Sequence, residues 1–438
     1  MFELISGSFS PLHQVARESP GKLSMLTKPT PLNAQQIRLL AVLALINFVN
    51  FAARQVTFPL IPLLRDHFQA TDAQLGSLTT WLLVVLALAS FPFGFFADRF
   101  SRKAIIAVGI FFWSVASFAG GLVSTFSLFL LARAFVGLGE AAYAPAAQSM
   151  ISGAFPIERR AFAQAIFASG MLLGGAAGLA FGGLVGPRYG WQVTLFAVAA
   201  LGILPALALI GLEEPPRGPR SEVVPILRLL SVPAFVSMIA AGICITFSTV
   251  TFISWGVDFA KNYKDFSLRE ASVSLSLITL FSLVLGVLAG GYVADRLQRF
   301  YPYGRIIAVA GAFLVATPFL LLAVQSEEKS AVLAGLFVAG FFMSWYHGPV
   351  TAVLHDMMPR RAHATSIGVY MFATQLVGGF GPNIVGKISD LHDLQLGLQI
   401  AVGVMVCGAL LMFFVIYFIR RDGIRHPVLE AFRTETGD

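Results

Sequence analysis

The sequence predicts an all-α integral membrane protein with twelve transmembrane helices in two six-helix halves. Three observations predict it. Of 438 residues, 57% are hydrophobic and only 12% are charged, whereas a soluble protein would carry about 25% charged residues. Mean hydropathy is +0.78. Apolar stretches that could each cross a bilayer, which takes about 20 residues, recur along the whole chain. Motifs of the first half also return in the second half at a nearly constant offset.

Residues 1–35 are polar, with no basic stretch leading into an apolar core, and read as a cytoplasmic tail rather than a cleaved signal. The N-terminal half, 36–211, holds apolar spans at about 36–62, 73–97, 104–123, 127–154, 160–186 and 191–211. The segment 212–232, LEEPPRGPRSEVVPILRLLSV, is rich in proline and charge and reads as a cytoplasmic linker. The C-terminal half, 233–419, repeats the pattern with spans at about 233–260, 269–294, 305–325, 331–357, 364–389 and 396–419. Residues 420–438 form a second cytoplasmic tail. With the N-terminus inside, cytoplasmic segments carry 21 of the 30 Lys and Arg, the opposite side seven, and two lie within spans. That bias places both termini in the cytoplasm. It also makes the net charge of +7 a topology signal, which excludes nucleic acid as the partner. Cys244 and Cys407 lie in separate apolar spans, so no disulfide framework is expected.

GFFADRFSRK at 94–103 follows span 2, and GYVADRLQRF at 291–300 follows span 8, an offset of 197. PIERRAFAQAI at 156–166 and PRRAHATSI at 359–367 share Arg-Arg-Ala-x-Ala-x-x-Ile at an offset of 201. Gly94 is expected to let span 2 approach a neighbouring helix. Asp98, Arg99, Arg102 and Lys103, with Asp295 and Arg296 in the second half, sit at cytoplasmic helix ends. There they are expected to form gating ion pairs that hold the halves together and break when the inside opens. The glycines of spans 4 and 5, including Gly137, Gly139, Gly170, Gly174, Gly178 and Gly182, have the small-xxx-small spacing of close helix packing.

Span 1 carries Asn47, Asn50, Arg54 and Thr57. At about 100° per residue they share one sector of about 80°, a narrow polar stripe on an apolar helix. Span 4 supplies Arg133 and Glu140, seven residues apart and about 20° apart around the helix. At ~1.5 Å rise per residue, Arg54 and Glu140 come out near mid-depth, with Arg133 roughly 10 Å nearer the outside. A buried charge is costly without a partner, so an Arg54–Glu140–Arg133 cluster is expected. Ionisable groups at such depth serve function by default. Movement of an Arg toward an anionic substrate would free Glu140 to take a proton; a static ion pair between spans 1 and 4 is the competing reading. His347 is a second proton-carrying candidate. His355 and Asp356 read as structural. Thr246, Thr249 and Trp255 read as cavity-lining or core groups. No metal cluster, nucleophile elbow, paired carboxylates or nucleotide-binding loop appears, so no enzyme activity and no cofactor are expected, with protons as the coupling ion.

Two parallel six-helix repeats resemble the layout of major facilitator transporters. NFVNFAARQVTFPL, GFFADRFSRK, FFWSVASFAGG, RAFVGLGEAAYAPAA and GGFGPNIVGKISD together resemble the Spinster branch of that superfamily over about 40–420. The resemblance implies a twelve-helix alternating-access carrier for sphingosine-phosphate-like or lysophospholipid substrates, with proton coupling. It also implies roles for Arg54, Arg133 and Glu140. Members commonly carry Asp before the span-1 Arg, where this chain has Ala53. Short loops and tails point to a bacterial cytoplasmic (inner) membrane, and a monomer is expected. The partners expected are membrane lipids and an amphiphilic anionic lipid, which the Phe-rich, weakly polar spans fit. The alternative substrate is a small organic anion or drug-like compound.

Overall fold

Helix starts follow from capping residues. A computed structural model of the chain describes residues 32–216, 225–359 and 362–422, without the side chains of Asp98, Ile157, Glu158 and Asp422. The expected tails beyond those limits, linker residues 217–224 and the repeated Arg360–Arg361 pair lie outside the described residues. Asn33 and Gln36 form a capping box on α1 (Ala34–Gln55), and Thr71 and Gln74 form another on α3 (Asp72–Arg99). Val56 is itself helical, so α1 runs on into α2 (Thr57–Phe68), which ends at left-handed Gln69. Ser101 and Thr125 cap α4 (Arg102–Gly120) and α5 (Phe126–Ala154). The long α6 (Ile157–Leu201) is broken at Gly190, whose φ of 87° is open to glycine, and α7 (Ile203–Ile210) completes the half. A single turn, α8 (Ile226–Leu230), precedes α9 (Pro233–Tyr263). Ser267 and Glu270 cap α10 (Leu268–Phe300), followed by α11 (Gly304–Gln325). α12 (Lys329–Met343) passes through a 3-10 turn at Ser344–Tyr346 into α13 (His347–Met357). The chain ends with α14 (His363–Gly378), α15 (Gly381–Leu391) and α16 (Leu394–Asp422).

Ten helical stretches among the described residues are long and apolar enough to cross a membrane. One of them, Arg159–Ile210, contains the break at Gly190 and serves as two. The α14–α15 pair also has membrane length. The architecture is thus all-helical and agrees with the twelve spans expected.

Buried apolar side chains fall into three clusters. One lies in the C-terminal half, around Phe235, Phe313 and Met405. One lies in the N-terminal half, around Leu43, Trp113 and Met150. The third draws on both halves, joining Leu64, Leu75 and Trp191 to Trp255, Phe266, Val385 and Leu398. These residues lie toward the α2–α3 and α9–α10 turns, called distal below; Leu32 and Asp422 mark the proximal end. Apolar burial therefore joins the halves at the distal end.

Glycine packing sets the N-terminal half. A Cβ built on Gly170, Gly174, Gly178 or Gly182 of α6 would come within 3.0 Å of Ala44 O, Phe48 O, Ala52 O or Val56 O, respectively. Both series step by four residues, so α6 lies directly on the backbone of α1 and α2. Gly94 departs from expectation. A Cβ there meets nothing within 4 Å, and the same holds for its repeat partner Gly291. Neither glycine serves close helix packing here, because both face open space.

Candidate functional site

The polar stripe of α1 packs against α5. Arg54 donates from Nε to Glu140 Oε2 at 2.8 Å, and its Nη2 donates to the same oxygen. The Glu140 side chain is 0% exposed and that of Arg54 is 18% exposed. Arg54 Cζ also lies 4.7 Å from the Phe51 ring centroid. The expected contact between spans 1 and 4 is present. Arg133, 4% exposed, forms no ion pair with a described residue, and its Nε lacks a hydrogen-bond partner. The expected three-membered cluster is thus an Arg54–Glu140 pair, with Arg133 within electrostatic reach but bonded to neither.

Asn47 and Asn50 differ in use. Asn47 Nδ2 donates to Phe167 O at 2.7 Å, and its Oδ1 accepts from the Tyr143 hydroxyl, so it ties α1 to α5 and α6. Asn50 is 0% exposed, yet neither of its amide atoms has a partner. Ala53 is buried in the distal core. In the C-terminal half, His347 is exposed at mid-span, its ring 4.5 Å from that of Tyr346. Trp255 is buried and donates to Pro382 O at 3.1 Å. Thr249 bonds back to Ile245 O at 2.9 Å, and a Cβ on Gly378 would press on Thr246. Trp255 and Thr246 are packing groups. His355 stacks on His363 at 4.3 Å, and Asp356 pairs with Arg305.

Of the expected gating charges, Arg102, Lys103 and Asp295 bond within their own halves or to the start of the linker. Arg102 is buried; its Nε donates to Glu214 Oε1 at 3.0 Å, and its Nη2 donates to Pro215 O. Lys103 Nζ donates to Ile210 O at 2.6 Å and Leu212 O at 2.9 Å. Glu214 also accepts from Ser101 Oγ and the Arg102 N–H. Burial pushes the Glu214 carboxyl upward, but these hydrogen bonds and the Arg102 charge outweigh it and hold it below the usual range. Asp295 pairs with Arg305 at 2.8 Å. Arg99 lies over Phe95 and Arg296 over Phe300. The Asp98 side chain is outside the described residues.

Sequence reasoning missed a distal seam between the halves. Arg65 of α2 donates to both oxygens of Asp258 on α9, each at 2.8 Å, and to Asp72 Oδ1 at 2.7 Å. Asp390 of α15 accepts from the N–H groups of Asp72 and Ala73, at 2.7 and 2.9 Å, capping α3 from the other half. Ser389 Oγ donates to Asp72 Oδ2 at 2.5 Å, and Asn383 Nδ2 to Ala73 O at 2.7 Å. Asp258 is 0% exposed. Its place inside the expected span 233–260 was the available signal. Asp258 is thus a second buried acid, on the other half from Glu140.

The Major Facilitator Superfamily sequence profile matches residues 43–382. Spinster homolog 1 of Xenopus laevis is 26% identical over 430 residues, covering 89% of this chain and 82% of its own. A protein of Mycolicibacterium smegmatis named as an MFS-type efflux pump is 25% identical over 403 residues, covering 90% and 94%. Among solved structures, a bacterial homolog of the human lysosomal transporter Spinster, described as inward-facing and occupied, superposes with a TM-score of 0.80 at 23% identity, covering 90% of this chain and 99% of its own.

Proposed function

The chain belongs to the Major Facilitator Superfamily, and on that premise we propose that it is a Spinster-type secondary carrier that moves an amphiphilic anionic lipid by alternating access, coupled to protons through Glu140. The observation that carries this reading is the buried Arg54–Glu140 pair with Arg133 unpaired beside it. Two cations against one carboxylate leave positive charge that an anionic head group would balance. A substrate phosphate or carboxylate that draws Arg54 away leaves Glu140 without its cation, and Glu140 then takes a proton. Return of Arg54 expels the proton, so substrate and proton favour the same arrangement of side chains and bind together. The likeness to proteins named spinster homolog favours a lipid. The carrier is proposed to work as a monomer in a bacterial inner membrane, with both termini in the cytoplasm.

A second reading, export of a small organic anion or drug-like compound, draws on the likeness to the mycobacterial efflux pump. Flux of a labelled lysophospholipid in proteoliposomes under an imposed pH gradient separates the two. Gradient-driven flux that Glu140→Gln abolishes is the expected result. Flux in both proteins would reduce Glu140 to a structural partner of Arg54. No lipid flux in folded wild-type protein would leave the organic-anion reading.

A further inference from the structure

Glu140 has a second oxygen. Oε2 is occupied by Arg54, whereas Oε1 is buried without a partner. Asn50, on the same polar stripe as Arg54, is also unsatisfied, with both amide atoms buried and neither bonded. An unbonded buried amide in an apolar span is costly without a partner.

The helices place these two groups together. Asn50 lies one turn from Asn47 and one turn from Arg54 on the same stripe. Both of those residues reach across to α5, Asn47 to Tyr143 and Arg54 to Glu140. A helical side chain covers the turn N-terminal to its own Cα. The contact of Arg54 with Phe51 shows that its guanidinium has turned back by that amount. The Arg54–Glu140 contact is therefore at the level of Asn50. No direct bond joins the Asn50 amide to Glu140 Oε1. Such paired vacant valences are what buried waters satisfy, each with two to four bonds.

We propose that Asn50 and Glu140 Oε1 bind an ordered water that hands the proton to and from Glu140; this rests on the reading of Glu140 as the coupling group. An amide suits the task because it both donates and accepts. With Glu140 ionised, Asn50 Nδ2 donates to the water and the water donates to Oε1. With Glu140 protonated, the Oε1 hydroxyl donates to the water and the water donates to Asn50 Oδ1. Protonation forms an O–H bond at Oε1 and breaks one of the water, which takes a replacement proton from hydronium on the side to which the carrier is open; the hydrogen bond to Asn50 reverses, from Nδ2 donating to Oδ1 accepting. Thr57 Oγ and Arg133 Nε, further distal on the same two faces, are also buried and unpartnered, so the polar strip continues past the ion pair.

Two measurements test this. A structure of the wild-type protein at a resolution that shows water should place one within hydrogen-bond reach of Asn50 and Glu140 Oε1; a dry site there overturns the proposal. In proteoliposomes, Asn50→Leu should lower gradient-driven flux about tenfold, the worth of one hydrogen bond to a charged group. It should also displace the pH profile while leaving the apparent affinity for the lipid unchanged. If Glu140→Gln loses gradient-driven flux but Asn50→Leu keeps the wild-type pH profile, Asn50 plays no part. If Glu140→Gln keeps gradient-driven flux, the coupling reading itself fails. The water in the wild-type structure decides the binding site even where Asn50→Leu does not fold.

Discussion

Replacing Arg65 by Gln should open the distal end. Arg65 holds the Asp258 side chain, 1% exposed, across the boundary between the halves. Removing one partner of a buried pair costs roughly 3–5 kcal/mol, because the other charge stays buried. Arg65 is itself 26% exposed, so the lower end, about 3 kcal/mol, applies. At 1.4 kcal/mol per tenfold, that shifts the ratio of distally closed to distally open molecules on the order of 100-fold. A carrier closed 99:1 would become about evenly divided. The assay is maleimide labelling from the distal side of Ser254→Cys, a position buried in the α3–α9 seam, in a Cys244→Ser/Cys407→Ser background. Labelling should quicken in Arg65→Gln and in Asp258→Asn. The double variant should fall short of the sum of the two, since they share one interaction. Unchanged labelling in folded Arg65→Gln protein would refute the assignment of this pair to closure.

Three further outcomes are expected. Gly174→Ala places a methyl against Phe48 O and should cost about 1–3 kcal/mol, read as a fall in Tm; Gly94→Ala, facing open space, should leave Tm unchanged. Tyr143→Phe removes the donor to Asn47 and should cost about 1 kcal/mol in chemical denaturation. Glu214→Gln should destabilise the protein at neutral pH. Because the Glu214 carboxyl is held below its ordinary range in the folded state, the difference from wild type is complete above the unfolded pKa, near 4.3. It should fade as acid titrates the folded-state carboxylate; a constant difference down to acid unfolding would remove Glu214 from the account.

The spans were legible because each is a local property. Twenty apolar residues and a capping pair such as Thr71 and Gln74 need no knowledge of the rest of the fold. The Arg54–Glu140 contact was legible for a related reason: few charges lie deep in spans, and each needs a partner. The seam was not legible. Arg65, Asp72, Asp258 and Asp390 lie on four helices near span ends, where charge is common and sequence does not say which ends meet. The partners of the motif charges were not legible for a similar reason. Arg102 had many acids within reach in principle, and only the path of the chain after α7 brings Glu214 to it. Asn47 and Asn50 look alike in sequence; Tyr143 and Phe167 O, supplied by other helices, separate them.

The four-residue stride of α6 along α1 works as a depth gauge. Each rung lies about 6 Å above the last, and Arg54 sits between the rungs at Ala52 and Val56. Neither helix can creep past the other by less than a whole rung without driving a peptide oxygen into a side chain. The height of Arg54 in the membrane is therefore written into α6 as firmly as into α1. An insertion or deletion in α6, without touching a charged residue, would reset the depth of the Arg54–Glu140 pair.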